Sequence, residues 1–134
     1  MEVEFINPPG TFNPIPRGFS HIVKVRNPGA LVFIAGQAPM DENAQAISPG
    51  EIEPQARAVF EGAKRCLTAA GATFDDVVKM VVYLVNLKDN HAAFRKVRAE
   101  YVHETKRPVS TMIEVKGLAL DGMLVEIDLI AAVP

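Results

Sequence analysis

From Met80 to Val85 the chain reads Met-Val-Val-Tyr-Leu-Val, a run with no charge in it. Successive side chains of an extended strand point to opposite faces, so such a run is apolar on both. It suits a central strand covered above and below, and the rest of the chain must supply the cover. An amphipathic helix is expected from Ile52 to about Ala70, because Ile52, Ala56, Val59, Ala63, Leu67 and Ala70 recur at steps of three and four. Gly71 stands where a helix C-terminal glycine belongs. A second helix is expected from about His91 to His103, after a turn at Asn86–Asn90, with Phe94, Val97 and Tyr101 along its buried edge.

The remaining strands bracket these helices. His21–Val25 and Leu31–Ala35 are β-rich runs, and Arg26-Asn27-Pro28-Gly29 between them has turn chemistry, which predicts a hairpin. Residues 7–18 are rich in proline and glycine and read as a loop. Ser110–Val115 and Leu124–Val133 complete the set. The order is β-β-α-β-α-β-β, one α+β domain over residues 1–134 with two helices on one face of a mixed sheet. Along the last strand Met123, Val125, Ile127, Leu129 and Ala131 face one way, and Leu124, Glu126, Asp128, Ile130 and Ala132 the other. Two helices cover a single face, so the second would expose a large apolar patch in a monomer. Assembly through the sheet is therefore expected, with ligand clefts between chains.

Charge narrows the function classes. Fourteen Lys and Arg stand against sixteen Asp and Glu, a net charge of −2 without a basic stripe, so nucleic-acid binding has no electrostatic support. The single cysteine, Cys66, excludes an internal disulfide and any multi-cysteine metal centre. His21, His91 and His103 lack metal-site spacing, so no metal is expected. The N-terminus has neither a positive segment nor an apolar one, and no stretch reaches the roughly 18 apolar residues of a membrane span. The expectation is a soluble cytoplasmic protein without membrane or nucleic-acid partners.

Several segments resemble the Rid (YjgF) family. They are Phe33-Ile34-Ala35-Gly36-Gln37-Ala38-Pro39, Gln55-Ala56-Arg57 through Ala70-Gly71-Ala72, Val77 to Leu84, Arg107-Pro108-Val109-Ser110-Thr111, and Val125 to Ala131. They run in order over nearly the whole chain. The resemblance implies a chorismate-mutase-like fold, a homotrimer with ligand clefts between subunits, and no cofactor. It also implies a hydrolase that releases ammonia from reactive imines and enamines such as 2-aminoacrylate; an older attribution to the family is endoribonuclease activity.

The same resemblance assigns residues. Gly36 matches the position whose backbone meets ligand, and Glu126 the acid associated with the water-positioning end of the cleft, the expected catalytic residue. The family's carboxylate-gripping arginine falls at Ser110, the site cysteine at Met112 and the loop tyrosine at Phe19. Serine carries no charge for a bidentate grip. The chain thus resembles a branch without the catalytic arginine, not a standard 2-aminoacrylate deaminase. Arg95, where the second helix often carries asparagine, and Arg17, on the proline-rich loop, are the candidate replacements; the other reading of Arg95 is a solvated helix arginine. Ser110 has no base to make it a nucleophile. Three functions remain open: a Rid-like hydrolase of small imines, a non-catalytic small-molecule binder, and an endoribonuclease.

Overall fold

The structure, a computed structural model, describes residues 1–134. Its strands are β1 (Glu2–Ile6), β2 (Ile22–Arg26), β3 (Ala30–Gln37), β4 (Val77–Leu84), β5 (Val109–Glu114) and β6 (Val125–Val133), and its helices α1 (Ile52–Ala69) and α2 (Leu87–Arg98). Single 3₁₀ turns lie at Ile15–Arg17 and Phe74–Asp76. No helix is long and apolar enough to cross a membrane.

A four-stranded mixed sheet, ordered β3-β6-β4-β5, carries both helices on one face. β4 and β5 run parallel and the other pairs antiparallel. The alternation expected for the last strand holds from Val125 to Ala131, with Val125, Ile127, Leu129 and Ala131 buried and Glu126, Asp128 and Ile130 half-buried; Ala132, expected on the open face, is buried as well. On β4, Met80, Val82 and Leu84 join the same core. Phe60 of α1 centres the helix layer, stacked on Tyr101 (4.9 Å, 12°) and tilted against Phe74 and Phe94.

The expected hairpin does not form. β2 pairs with β1, from Glu2↔Arg26 to Ile6↔Ile22, and β3 pairs instead with β6. The register sets complementary residues opposite each other: Val3 and Phe5 face Val25 and Val23, and Glu2 and Glu4 face Arg26 and Lys24, with ion pairs of 3.3–3.8 Å between them. β3, with Ile34 and Val32 on the core side, is drawn into the larger sheet.

Helix α1 ends as its sequence predicts. Gly71 takes a left-handed φ of +72°, the Ala72 amide donates to the Leu67 carbonyl (2.8 Å) and the Gly71 amide to that of Thr68 (3.1 Å). Helix α2 starts four residues earlier than its pattern suggests. Asn86 turns the chain with φ +49°, and the freed Leu87 amide donates to the Glu114 carboxylate on β5 (3.1 Å). That cap is tertiary, so the helix's own periodicity does not reveal it. Gln55, fully buried on α1, ties two loops to the helix: its Nε2 donates to the Ser48 and Gly122 carbonyls, and its Oε1 accepts from the Leu124 amide.

The other sheet face is covered at one end only, where Ala132 is buried beside Val3 and Phe5 of β1. It presents Val81 and Tyr83 of β4, Ile130 of β6, and Phe33 of β3, which is 71% exposed. The central strand thus has apolar residues on both faces but a helix layer over only one.

Candidate functional site

The predicted site residues fall into two groups on this scaffold. Gly36 and Glu126 meet on the sheet face away from the helices. The register of β3 against β6 shifts between Ile34 and Gln37, and in that irregular stretch Gly36 lies under the Glu126 side chain. A Cβ at Gly36 would stand 2.5 Å from Glu126 Oε1 and 2.9 Å from Cδ, so glycine is what lets the carboxylate rest there. Glu126 also lies opposite Tyr83 in the β4–β6 ladder.

Tyr83 donates its hydroxyl to Asp128 Oδ2 (3.1 Å), and that bond leads the influences that raise its pKa, followed by burial and the charges of Asp128 and Glu126. The sequence had placed Glu126 and Asp128 on one face; Tyr83 joins them only through the strand pairing. A neighbouring hollow of about 350 Å³ is lined by Phe33, Gly36, Lys79, Val81, Asp128 and Ile130. Gln37 points the other way, donating Nε2 to the Ala35 carbonyl (3.0 Å) on the helix side.

The second group lies where the 3₁₀ turn meets α2. Arg95 Nη2 donates to the Pro16 carbonyl (2.7 Å), Arg98 Nη2 to that of Arg17 (2.6 Å) and Arg107 Nη1 to that of Ile15 (2.5 Å). These three arginines help line a cavity of about 500 Å³. Gly18 is doubly constrained beside it: its φ is +84°, and a Cβ would come within 2.5 Å of Arg98 Nη2. Burial, then the charges of Arg95 and Arg107, push Arg98 down to about 10, so it stays charged at neutral pH. Sequence reasoning singled out Arg95 but not Arg98 or Arg107.

Arg17 projects elsewhere, its guanidinium 5.8 Å from the centre of the Phe12 ring. Phe12, Phe19 and His21 pack edge to face, with His21 Nε2 2.7 Å from the Phe12 carbonyl oxygen. Ser110 and Met112 pair with Met80 and Val82 of β4, so both turn toward the helices, and Met112 packs on the core. Thr111, opposite Val81, is the residue of that segment on the same face as Glu126. Within one chain, then, Gly36 and Glu126 are together, whereas Arg95 lines a separate cavity. No three His, Cys, Asp or Glu side chains gather as a metal centre would require.

Known proteins match this chain along its length. A RutC family protein of Pyrococcus horikoshii is 41% identical over 119 residues, covering 88% of this chain and 90% of its own length. The 3-aminoacrylate deaminase RutC of Acinetobacter baylyi is 32% identical, covering 99% of this chain and all of its own. Among solved structures, the Rid family protein YyfB of Yersinia pestis superposes with a TM-score of 0.86 at 34% identity, over 99% of this chain and 100% of that one. RidA from an Antarctic Psychrobacter gives 0.70 at 30% identity, covering 85% of this chain and 89% of that one. Residues 13–133 match the family described as Endoribonuclease L-PSP. By that match and those relatives, the chain belongs to the Rid (YjgF) family.

Proposed function

We propose that the protein is a Rid-like hydrolase acting on small imines or enamines, in a cleft completed between copies of the chain in a homotrimer. The observation that carries this reading is the Glu126 carboxylate, resting over Gly36 on the part of the sheet face that presents Phe33, Val81 and Tyr83. A carboxylate there can accept a hydrogen bond from water and take its proton as the oxygen attacks the imine carbon. The C=N electrons move to nitrogen, which is protonated; the resulting carbinolamine then loses ammonia as its C–N bond breaks and a carbonyl forms. Closure of the face against another copy would exclude bulk water and strengthen the electrostatics inside.

The substrate's charged end needs a cation, and Ser110 supplies none. Arg95 is the better of the two candidates, because a cavity opens in front of it while the Arg17 guanidinium rests near Phe12. Since Arg95 lines the cavity beside α2 while Glu126 lies over Gly36 on the sheet, the reading requires that a neighbouring copy bring them together. The relative named 3-aminoacrylate deaminase lends the chemistry support. The loss of arginine at the Ser110 position favours a second reading, a non-catalytic binder of small molecules in the same cleft. An endoribonuclease is the least favoured, given the net charge of −2.

The test generates imines in situ from a panel of amino acids with an amino-acid oxidase and follows ammonia and keto-acid release. The expected result is acceleration by the protein and its loss in Glu126→Ala. No acceleration across the panel would leave the binder, which ligand-induced thermal shifts without turnover would then support. Sedimentation should give a trimer; a stable monomer contradicts the cleft.

A further inference from the structure

Three guanidinium groups converge at the cavity between α2 and the Ile15–Arg17 turn, and no carboxylate pairs with any of them. Arg95, Arg98 and Arg107 make no ion pair within 4.0 Å; the salt bridges of the chain lie elsewhere. Arg98 is only 7% exposed. Burying a cation without a counter-charge is costly, and proteins normally pair such a group. Each arginine instead gives one N–H to a main-chain carbonyl of the turn. A guanidinium has five N–H donors in a planar fork, so those bonds leave donors free on each group. Burial first, and then the like charges of Arg95 and Arg107, lower the Arg98 pKa.

We propose that this cavity is a binding site for a dianionic phosphate group, the phosphate monoester end of a small molecule. The lining holds three arginines and a single acid, Glu104, an excess of two positive charges. That matches a phosphate monoester near neutral pH better than one carboxylate. Guanidinium forks suit phosphate oxygens geometrically, and the volume of about 500 Å³ leaves room for the rest of a small molecule. The walls come wholly from one chain, so binding needs no partner copy. The site shares Arg95 with the functional reading above, but its occupancy is measured without turnover, so either idea can fail alone.

The experiment uses the full chain with inorganic phosphate as probe. Calorimetric titration and thermal unfolding are run at constant ionic strength, with chloride, acetate and succinate in parallel. Phosphate should bind saturably and raise the unfolding midpoint more than the other three anions. Arg95→Gln and Arg107→Gln reach the cavity from different segments, and each should weaken phosphate binding by about tenfold or more, the loss of one charge-assisted contact. Arg26→Gln, on β2 and outside the cavity lining, should leave it unchanged. A purely structural cluster that pins the turn predicts no preference for phosphate over chloride, and that result overturns the proposal. So does phosphate binding that survives in both Arg95→Gln and Arg107→Gln. Succinate binding as tightly as phosphate would overturn the phosphate assignment in favour of a dicarboxylate.

Discussion

Replacing Gly36 by alanine tests the placement of Glu126 more sharply than removing the carboxylate does. The added methyl carbon would lie 2.5 Å from Oε1, where ordinary contacts begin at 3.4 Å, so the carboxylate must withdraw by about 0.9 Å. The backbone does not object, since Gly36 is not among the positive-φ residues. What moves is the end of a half-buried side chain, so stability should fall by less than about 1 kcal/mol. Catalysis is less tolerant: a misplacement near 1 Å costs on the order of 10²-fold in rate. Turnover of oxidase-generated imines, measured beside the unfolding midpoint, should therefore drop about a hundredfold with the midpoint nearly unmoved. The double variant Gly36→Ala/Glu126→Asp shortens the displaced side chain and should be less impaired than the two single effects combined. If Gly36→Ala turns over imines at the wild-type rate, the carboxylate above Gly36 does not position the water.

Two other perturbations probe the scaffold. Gln55→Met leaves the Leu124 amide without an acceptor, whereas the Ser48 and Gly122 carbonyls keep the Glu51 and Gly50 amides. One orphaned donor and two lost bonds should cost about 2–4 kcal/mol in urea unfolding at fixed protein concentration, and a loss below about 0.5 kcal/mol would show that Gln55 is no latch. Burial, then its hydrogen bond to Glu61 (2.8 Å), raises Tyr101 to about 12. Its folded pKa exceeds the ordinary 10.0, so its contribution is complete below pH 10 and disappears as pH rises through about 12. Wild type should lose more stability than Tyr101→Phe across that window; parallel curves would contradict the shift.

The sequence revealed most where an element carries its own signal. Helix α1, its glycine stop and the alternation of β6 could all be read locally, since each depends on spacing within one segment. β1 escaped because its signal is spread over two segments: Glu2 and Glu4 gain meaning only opposite Arg26 and Lys24. The start of α2 escaped for a related reason, its cap being Glu114, twenty-seven residues downstream of Leu87. The same limit governs the site. Gly36 and Glu126 were identified through resemblance, but nothing in either segment shows that one lies over the other. The arginine cavity was hidden twice: net charge is negative, and Arg107 comes from a different segment than Arg95 and Arg98. Register also separates Thr111 from Ser110 and Met112, a distinction that one-dimensional matching cannot make.

The separation of the carboxylate from the arginine cavity has a genetic consequence. In a cyclic trimer each proposed cleft takes its acid from one chain and its cation from another, so the two defects belong to different alleles of one shared site. Glu126→Ala and Arg95→Gln chains, inactive as pure assemblies, should complement when coassembled. With equal amounts and random mixing, about a quarter of the clefts would unite an intact acid with an intact cation. Two dead proteins would then make a live one, without any chain being repaired.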